Sequence, residues 1–403
     1  MAAGPIPQRR ELSAGPNFQR LDTARLPSPC HVLDLARLED NLKLLKRVSD
    51  ESGVEILLAL KAFSCFAVAE LVAKYLSGTA ASGLYEARLG KTRFGGQMHA
   101  YAPGLKASDI EEMLALADHL ILNSLGQWRR FRERLEQADG VQIGLRINPG
   151  HNEVENPLYD PCAPWSRLGV PAGELTPADL DGLSGIHIHA LCDHPYDAFD
   201  RMLGAVEQNC GHLFGAIEWI NLGGGLLITE DGFPVARLIS RLKEFRKRTG
   251  LTVYLEPGTA IGLHAGGLVS EVLDRSSNVG ELAIMDTSAT CHMPDVIEAP
   301  FTPDVLGAMS LPRDTRAVSG EPDIVRLGGP TCLAGDIIGT YRFDQPPKVG
   351  DRLIFLDLGY YTMVKATTFN GTPLPSLALW DSRTDALKVV REFSYADFEG
   401  RLS

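Results

Sequence analysis

The chain has 403 residues, 44% of them hydrophobic and 22% charged, with 39 Lys plus Arg against 51 Asp plus Glu and a net charge of -12. That length exceeds the roughly 250 residues of a single α/β barrel and suffices for a core that needs no disulfide or metal to hold it together. The acidic balance argues against a nucleic-acid partner, which requires clustered Lys and Arg, and no run of about 18 apolar residues is present to span a membrane.

Residues 1–27 mix Pro, Arg, Gln and Ser without an apolar signal segment and read as a tail or an arm onto a partner subunit. SPCHVLDLARLEDNLK then reads as a strand followed by a helix, and its strand is free to join a later sheet. From residue 54 a unit repeats: a short apolar run ending in polar or Gly residues, then an amphipathic stretch. The runs are VEILLALKAF (54–63), GTAASG (78–83), MHAYAP (98–103), HLILNS (119–124), VQIGLRINP (141–149), GIHIHAL (185–191), WINLGGG (219–225) and VYLEPG (253–258). Strand and helix alternating in this way predict an α/β protein with a (β/α)8 TIM-type barrel, with a doubly wound sheet as the alternative if the second and third runs are not strands. The one dense basic run, Arg241 to Arg248, has the spacing of a solvated helix face. Beyond about residue 260 helical periodicity fades and Gly- and Pro-punctuated β segments follow, which predicts an antiparallel β domain. The predicted organisation is a barrel over 36–260, a β domain from 28–35 and 261–403, and the tail 1–27. Seven scattered cysteines, odd in number and without a CxxC pair, predict reduced thiols and a cytoplasmic protein.

A barrel of this type carries its active site at the C-terminal ends of its strands. The residues there are Lys61, Ser82, Tyr101, Asn123, Arg146, His189, Gly223 to Gly225 and Glu256, a polar set to follow apolar runs. Lys61 at the end of a buried strand must be desolvated or paired. Desolvation lowers its pKa and suits a Schiff-base lysine, whereas a lysine snorkelling to the rim would carry no chemistry. Gly223, Gly224 and Gly225 expose backbone N–H groups after the seventh strand, where barrels bind phosphate; the alternative is a plain turn. Glu256 is placed either to hold a ring-nitrogen proton or as a structural carboxylate. His187, His189, Cys192 and His194 have a metal-like spacing, but no carboxylate ligands accompany them on other strands and no metal is predicted. Cys332, in GGPTC, is either a small core residue or a thiol presented by a tight loop.

Together ALKAF, HIHALC, NLGGG, EPG, GGPTC and YTMVKATTFNG resemble the pyridoxal-phosphate decarboxylases of the alanine racemase-like fold (fold type III), over roughly residues 28 to 395. NPLYDPCAPWSRLG, TCHMPDV and LGGPTCLAGDIIG are most similar to the carboxynorspermidine decarboxylase subgroup. The resemblance implies a carboxy-lyase using pyridoxal 5'-phosphate on a polyamine precursor such as carboxynorspermidine or carboxyspermidine, working as a homodimer with shared active sites. It implies that Lys61 attaches the cofactor, that His189 stacks on its ring and that Glu256 protonates the ring nitrogen. Gly223 to Gly225 with Tyr361 would bind the phosphate. Cys332 would cross the dimer interface to protonate the α-carbon. Arg167 and Asp295 are candidates for the substrate carboxylate and a distal substrate amine. The chain departs from the pattern at Leu226 and Leu227, where the subgroup has two His, and at Thr259, where relatives have an acidic residue or Arg. Those changes point to the alternative of a related decarboxylase with a shifted amino-acid substrate. A racemase, a non-catalytic cofactor-binding protein and a metal hydrolase on His187 and His189 are the other readings.

Overall fold

The computed structural model describes residues 17–313, 315 and 321–403; most of the expected tail, residues 1–16, lies outside the described residues. The chain divides into two compact units, Leu38–Leu263 and the segment up to Arg37 together with His264–Ser403.

The chain opens with β1 (Cys30–Asp34) and α1 (Leu35–Ser52), then enters the barrel. The barrel strands are β2 (Glu55–Ala59), β3 (Gly78–Ala81), β4 (Gln97–Tyr101), β5 (His119–Leu122) and β6 (Gln142–Asn148), then, past a two-residue β7 (Val170–Pro171), β8 (Gly185–Ile188), β9 (Trp219–Asn221) and β10 (Thr252–Leu255). All pair in parallel, and Tyr254↔Glu55 and Leu255↔Ile56 close β10 onto β2. The eight strands are the eight predicted apolar runs, so the barrel holds and the doubly wound alternative falls. GTAASG lacks β-branched bulk, yet β3 is paired on both sides, and a Cβ at Gly78 would come within 2.0 Å of Gln97 O. Tertiary pairing supplies the strand character that composition does not.

The helices between strands are α2 (Ala69–Ala73), α3 (Leu84–Leu89), α4 (Ile110–Leu116), α5 (Leu125–Glu136), α6 (Tyr196–Cys210), α7 (Val235–Thr249) and the single turn α8 (Thr259–Gly262). In α5 the Ser124 hydroxyl accepts from Gln127 N–H at the N-cap, and Trp128, Phe131 and Leu135 bury one stripe. In α7 Leu238, Ile239, Leu242 and Phe245 do the same, and Gly250 at φ 73 ends the helix. The basic run on α7 is ion-paired: Arg241 meets Asp200 and Glu207, and Arg248 also meets Glu207. The barrel interior is packed, not hollow. A Cβ at Gly144 or Gly185 would strike the Trp219 ring at 2.4 or 2.1 Å, so these two glycines make the space that Trp219 fills.

In the second unit the strands are β11 (Gly266–Ser277), β12 (Glu281–Met285), β13 (Ala308–Ser310), β14 (Ile324–Gly328), β15 (Ile337–Phe343), β16 (Arg352–Leu356), β17 (Ser376–Asp381) and β18 (Ala386–Arg391). Their sheet runs β13-β15-β14-β12-β11-β1-β17-β18, with β16 beside β11. Leu268 and Val269 are neighbours on β11 and point to opposite faces. Leu268 packs with Val272, Met285, Tyr341 and Phe355, and Val269 with Val32, Ile354 and Trp380. The predicted antiparallel β domain is present and also contains two parallel pairings, β1 with β17 and β12 with β14. Parallel neighbours need long connections; the whole barrel separates β1 from β17, and residues 286–323 separate β12 from β14. Phe18, Leu21 and Leu26, read from sequence as tail, are buried against Val32 and Trp380. Asp34 fastens this segment, accepting from Asn17 Nδ2 and from the Ala36 and Ser382 N–H groups.

Candidate active site

The C-terminal ends of the barrel strands surround a cleft lined by Lys61, Ser82, Tyr101, Arg146, His189 and Glu256 from the predicted set, with His99 and His187 below them.

Glu256 follows β10. Its Oε1 accepts from Asn221 Nδ2 at 2.6 Å, and Oε2 lies 3.3 Å from His187 Nε2. Burial alone would favour the neutral acid, but the His187 hydrogen bond and the nearby His99 and Lys61 outweigh it and hold the carboxyl down at about 2. An ionised carboxylate only accepts, so the His187 proton sits on Nε2. Burial, partly opposed by Glu256, keeps His187 itself below the usual histidine range.

Lys61 Nζ lies 3.3 Å from His189 Nε2. The other ring nitrogen, Nδ1, accepts from Gly224 N–H at 3.2 Å. A neutral imidazole accepting at Nδ1 carries its proton on Nε2, so His189 donates toward Lys61 and the amine accepts through its lone pair. Burial lowers the Lys61 pKa, Arg146 adds to that, and Glu256 opposes it. Hydrogen bonding and electrostatics thus agree on an amine pushed toward its neutral, nucleophilic form. Burial, with Lys61 and Arg146 alongside, holds His189 well below its ordinary value.

The Gly223–Gly225 loop is forced by close backbone approach. A Cβ would come within 2.4 Å of Ile188 O at Gly223, 2.1 Å of Glu256 O at Gly224 and 2.1 Å of Leu191 O at Gly225, and φ is 69 at Gly223 and 87 at Gly225. Gly223 N–H is taken by Asn221 Oδ1 and Gly224 N–H by His189 Nδ1. The loop therefore ties the strand end carrying Asn221 to the ring beside Lys61. Leu226 and Thr259 are buried behind it. Arg146 lies over the Tyr101 ring at 4.7 Å, and Tyr101 OH donates to Asn123 Oδ1 at 2.8 Å.

The other predicted residues fall elsewhere. Arg167 is exposed and is not among the pocket-lining residues; its backbone carbonyl accepts from Asn123 Nδ2. His194 is directed away from metal-like use, accepting from Cys192 N–H and facing Glu153 O. In the second unit Cys332 is exposed, and its N–H donates to Asn370 Oδ1 at 2.9 Å. The loop before it wraps the buried Asp336, which accepts from Ser288 Oγ, Thr331 Oγ1 and Thr290 N–H. Tyr361 is half-buried at φ 45, a conformation uncommon for a non-glycine residue. Asp295 accepts from Lys365 Nζ at 2.6 Å, and so does Glu298.

Sequence reasoning missed Asn221 and His99. A usable signal exists: each lies two residues before a recognised strand-end residue, Gly223 and Tyr101, and alternate residues of a strand share a face.

The residues fit pyridoxal phosphate by the chemistry of the donor set. An amine poised as a nucleophile matches its aldehyde, and an ionised carboxylate in the same cleft matches a basic ring nitrogen. The family model described as "Pyridoxal-dependent decarboxylase, C-terminal sheet domain" matches residues 30–359. The carboxynorspermidine/carboxyspermidine decarboxylase of Campylobacter jejuni is 39% identical over 381 residues, covering 94% of this chain and 99% of its own. The carboxyaminopropylagmatine decarboxylase of Synechocystis is 42% identical over 379 residues, covering 94% and 96%. Among solved structures, carboxynorspermidine decarboxylase from Campylobacter jejuni complexed with norspermidine superposes with a TM-score of 0.85 at 39% identity, covering 93% of this chain and all of that one. Diaminopimelate decarboxylase from Helicobacter pylori, at 18% identity and a TM-score of 0.78, shares the fold. With a barrel and a β unit both spanned by these matches, the chain belongs to the pyridoxal-dependent decarboxylases.

Proposed function

We propose that the chain decarboxylates the α-amino carboxylate of a polyamine precursor such as carboxynorspermidine or carboxyspermidine, with pyridoxal 5'-phosphate held in the barrel cleft. The observation that carries the reading is the pairing in one cleft of a Lys61 amine pushed toward neutrality with a Glu256 carboxylate held at about 2. Bound there, pyridoxal phosphate supplies an electron sink for the pair left on the α-carbon when CO2 departs.

Lys61 would hold the cofactor through its amine, whose neutral form is the nucleophile such attachment needs. Glu256, fixed by Asn221 and His187, keeps a proton on the ring nitrogen. His189, fixed by Gly224 and beside Lys61, would help hold the ring. Gly223 and Gly224 have their N–H groups engaged within the barrel, so phosphate binding falls to the Gly225 end of the loop, with Tyr361 assisting. The C–C bond to the carboxylate breaks, its electrons stay on the α-carbon, and the Cys332 thiol proton closes the new C–H bond. Delivery of that proton comes from a second copy in a cytoplasmic homodimer, and the exposure of Cys332 supports this. Arg167 and Asp295 remain candidates for the substrate carboxylate and distal amine; an incoming ammonium must displace Lys365 to reach Asp295.

A second reading within the family is a shifted substrate. Buried Leu226 and Thr259 favour it, as does similarity to a Synechocystis relative named for carboxyaminopropylagmatine. The experiment is a product assay by mass spectrometry on the loaded protein with carboxynorspermidine, carboxyspermidine, carboxyaminopropylagmatine, diaminopimelate and ornithine. Preferred turnover of either of the first two supports the main reading. Preference for the third selects the shifted substrate, and decarboxylation of none rejects both.

A further inference from the structure

Two histidines stack in the barrel interior, and the only part given to either so far is that His99 neighbours Glu256. His99 lies on β4, one pleat below Tyr101, and lines the cleft at 1% exposure; neither of its ring nitrogens has a hydrogen-bond partner among the described residues. His119, its register neighbour on β5, stacks on it with centroids 3.9 Å apart and planes 22° apart. Packing does not account for imidazoles here. Leu or Phe would fill the space without leaving buried polar atoms unpaired, each at a cost of about 1–3 kcal/mol. A further unpartnered nitrogen, Nδ1 of His187, belongs to the ring whose Nε2 faces Glu256.

His187 serves Glu256 only in the tautomer with its proton on Nε2. In a neutral imidazole the tautomer is set by the hydrogen bond that the opposite nitrogen makes. A donor is therefore required at Nδ1, and no described protein group supplies one. His99 and His187 line the same cleft and are electrostatically coupled. A buried water needs two to four polar partners, and these two rings offer them.

We propose that His99 is a positioning residue for Glu256: it holds an ordered water that donates to Nδ1 of His187, fixing the Nε2–H tautomer that keeps the carboxylate ionised. This rests on reading Glu256 as the cofactor's ring-nitrogen partner, but its test does not depend on turnover. In the pyridoxal-phosphate-loaded protein, a crystal structure is expected to show one water within hydrogen-bonding distance of both a His99 ring nitrogen and His187 Nδ1. 15N NMR of histidine-labelled protein is expected to show His187 protonated on Nε2. A dry His187 Nδ1, or a proton on Nδ1, overturns the proposal. His99→Phe, which keeps the stacked ring and deletes both nitrogens, is expected to mix the His187 tautomers. It is also expected to lower kcat about tenfold, the equivalent of one unit of proton affinity, with KM unchanged. His99→Gln is expected to restore the tautomer and most of kcat. An unchanged tautomer and kcat in His99→Phe would sink the idea. If His99→Phe does not fold, the parent water and tautomer still decide it. Absence of cofactor on Lys61 would instead sink the underlying reading, leaving the water and tautomer to be judged separately.

Discussion

Lys61, Glu256 and Cys332 carry three separable roles, and each has its own failure. Lys61→Ala removes the only lysine among the described residues lining the cleft and is expected to abolish turnover and the yellow absorbance of the loaded protein; a yellow, active variant would refute the assignment. Glu256→Gln keeps the Asn221 and His187 neighbourhood but removes the charge that holds the ring proton. Its kcat should fall by about 10²-fold or more, with folding preserved. Cys332→Ala should slow turnover and raise the share of aldehyde formed by misplaced protonation; an unchanged rate and product ratio would count against the thiol. Most of the cleft was legible because a barrel puts polar residues at strand ends, and Lys61, His189 and Glu256 stand out there as polar stops to apolar runs. Asn221 and His99 were not, because they sit one pleat deeper, where sequence resembles core. The Asp295–Lys365 pair joins residues 70 apart, a separation that no local pattern reveals.

At the scale of elements, the glycine loop shows how backbone proximity dictates sequence. Gly224→Ala would drive a Cβ into Glu256 O, backbone that cannot move aside as a side-chain tip would. The expected cost is about 1–3 kcal/mol or more of stability together with weakened cofactor binding. Gly215→Ala, with nothing within 4 Å, is the control that should change neither. Thermal melting and pyridoxal-phosphate titration of both variants check this. The eight barrel strands could be read because each parallel strand is an apolar run bounded by polar or Gly residues. The parallel pairings of β1 with β17 and β12 with β14 could not, since they are decided by long-range partners and by connections that are not local in sequence. The packing of Phe18, Leu21 and Leu26 could not be read for the same reason: these three apolar residues are isolated in sequence, and their cluster with Val32, Val269, Ile354 and Trp380 is assembled from distant parts of the chain.

For the whole molecule, buried neutral histidines set the response to acid. Burial pushes His31 down to about 3, and His119 and His292 down to about 4. In the unfolded chain these groups take up protons near 6.5, so between about 6.5 and 4 the unfolded state binds more protons than the folded one. Stability is therefore greatest above 6.5 and falls as pH drops through that window, by up to about 1.4 kcal/mol per pH unit for each histidine. Glu256 adds a second loss as pH falls from its unfolded value toward about 2. Melting temperatures measured from pH 7.5 to 4.5 should hold down to about 6.5 and decline below it; a flat profile would contradict the burial of these rings. The net charge of -12 acts at the same scale, since an acidic surface concentrates cationic polyamine-like substrates and its effect should weaken with salt.

The most direct test of the central claim is to load the protein with pyridoxal phosphate, reduce it with borohydride and map the modified peptide by mass spectrometry. The account predicts a single pyridoxyl group on Lys61, in the peptide carrying EILLALKAF. A label on another lysine, or none, would contradict it.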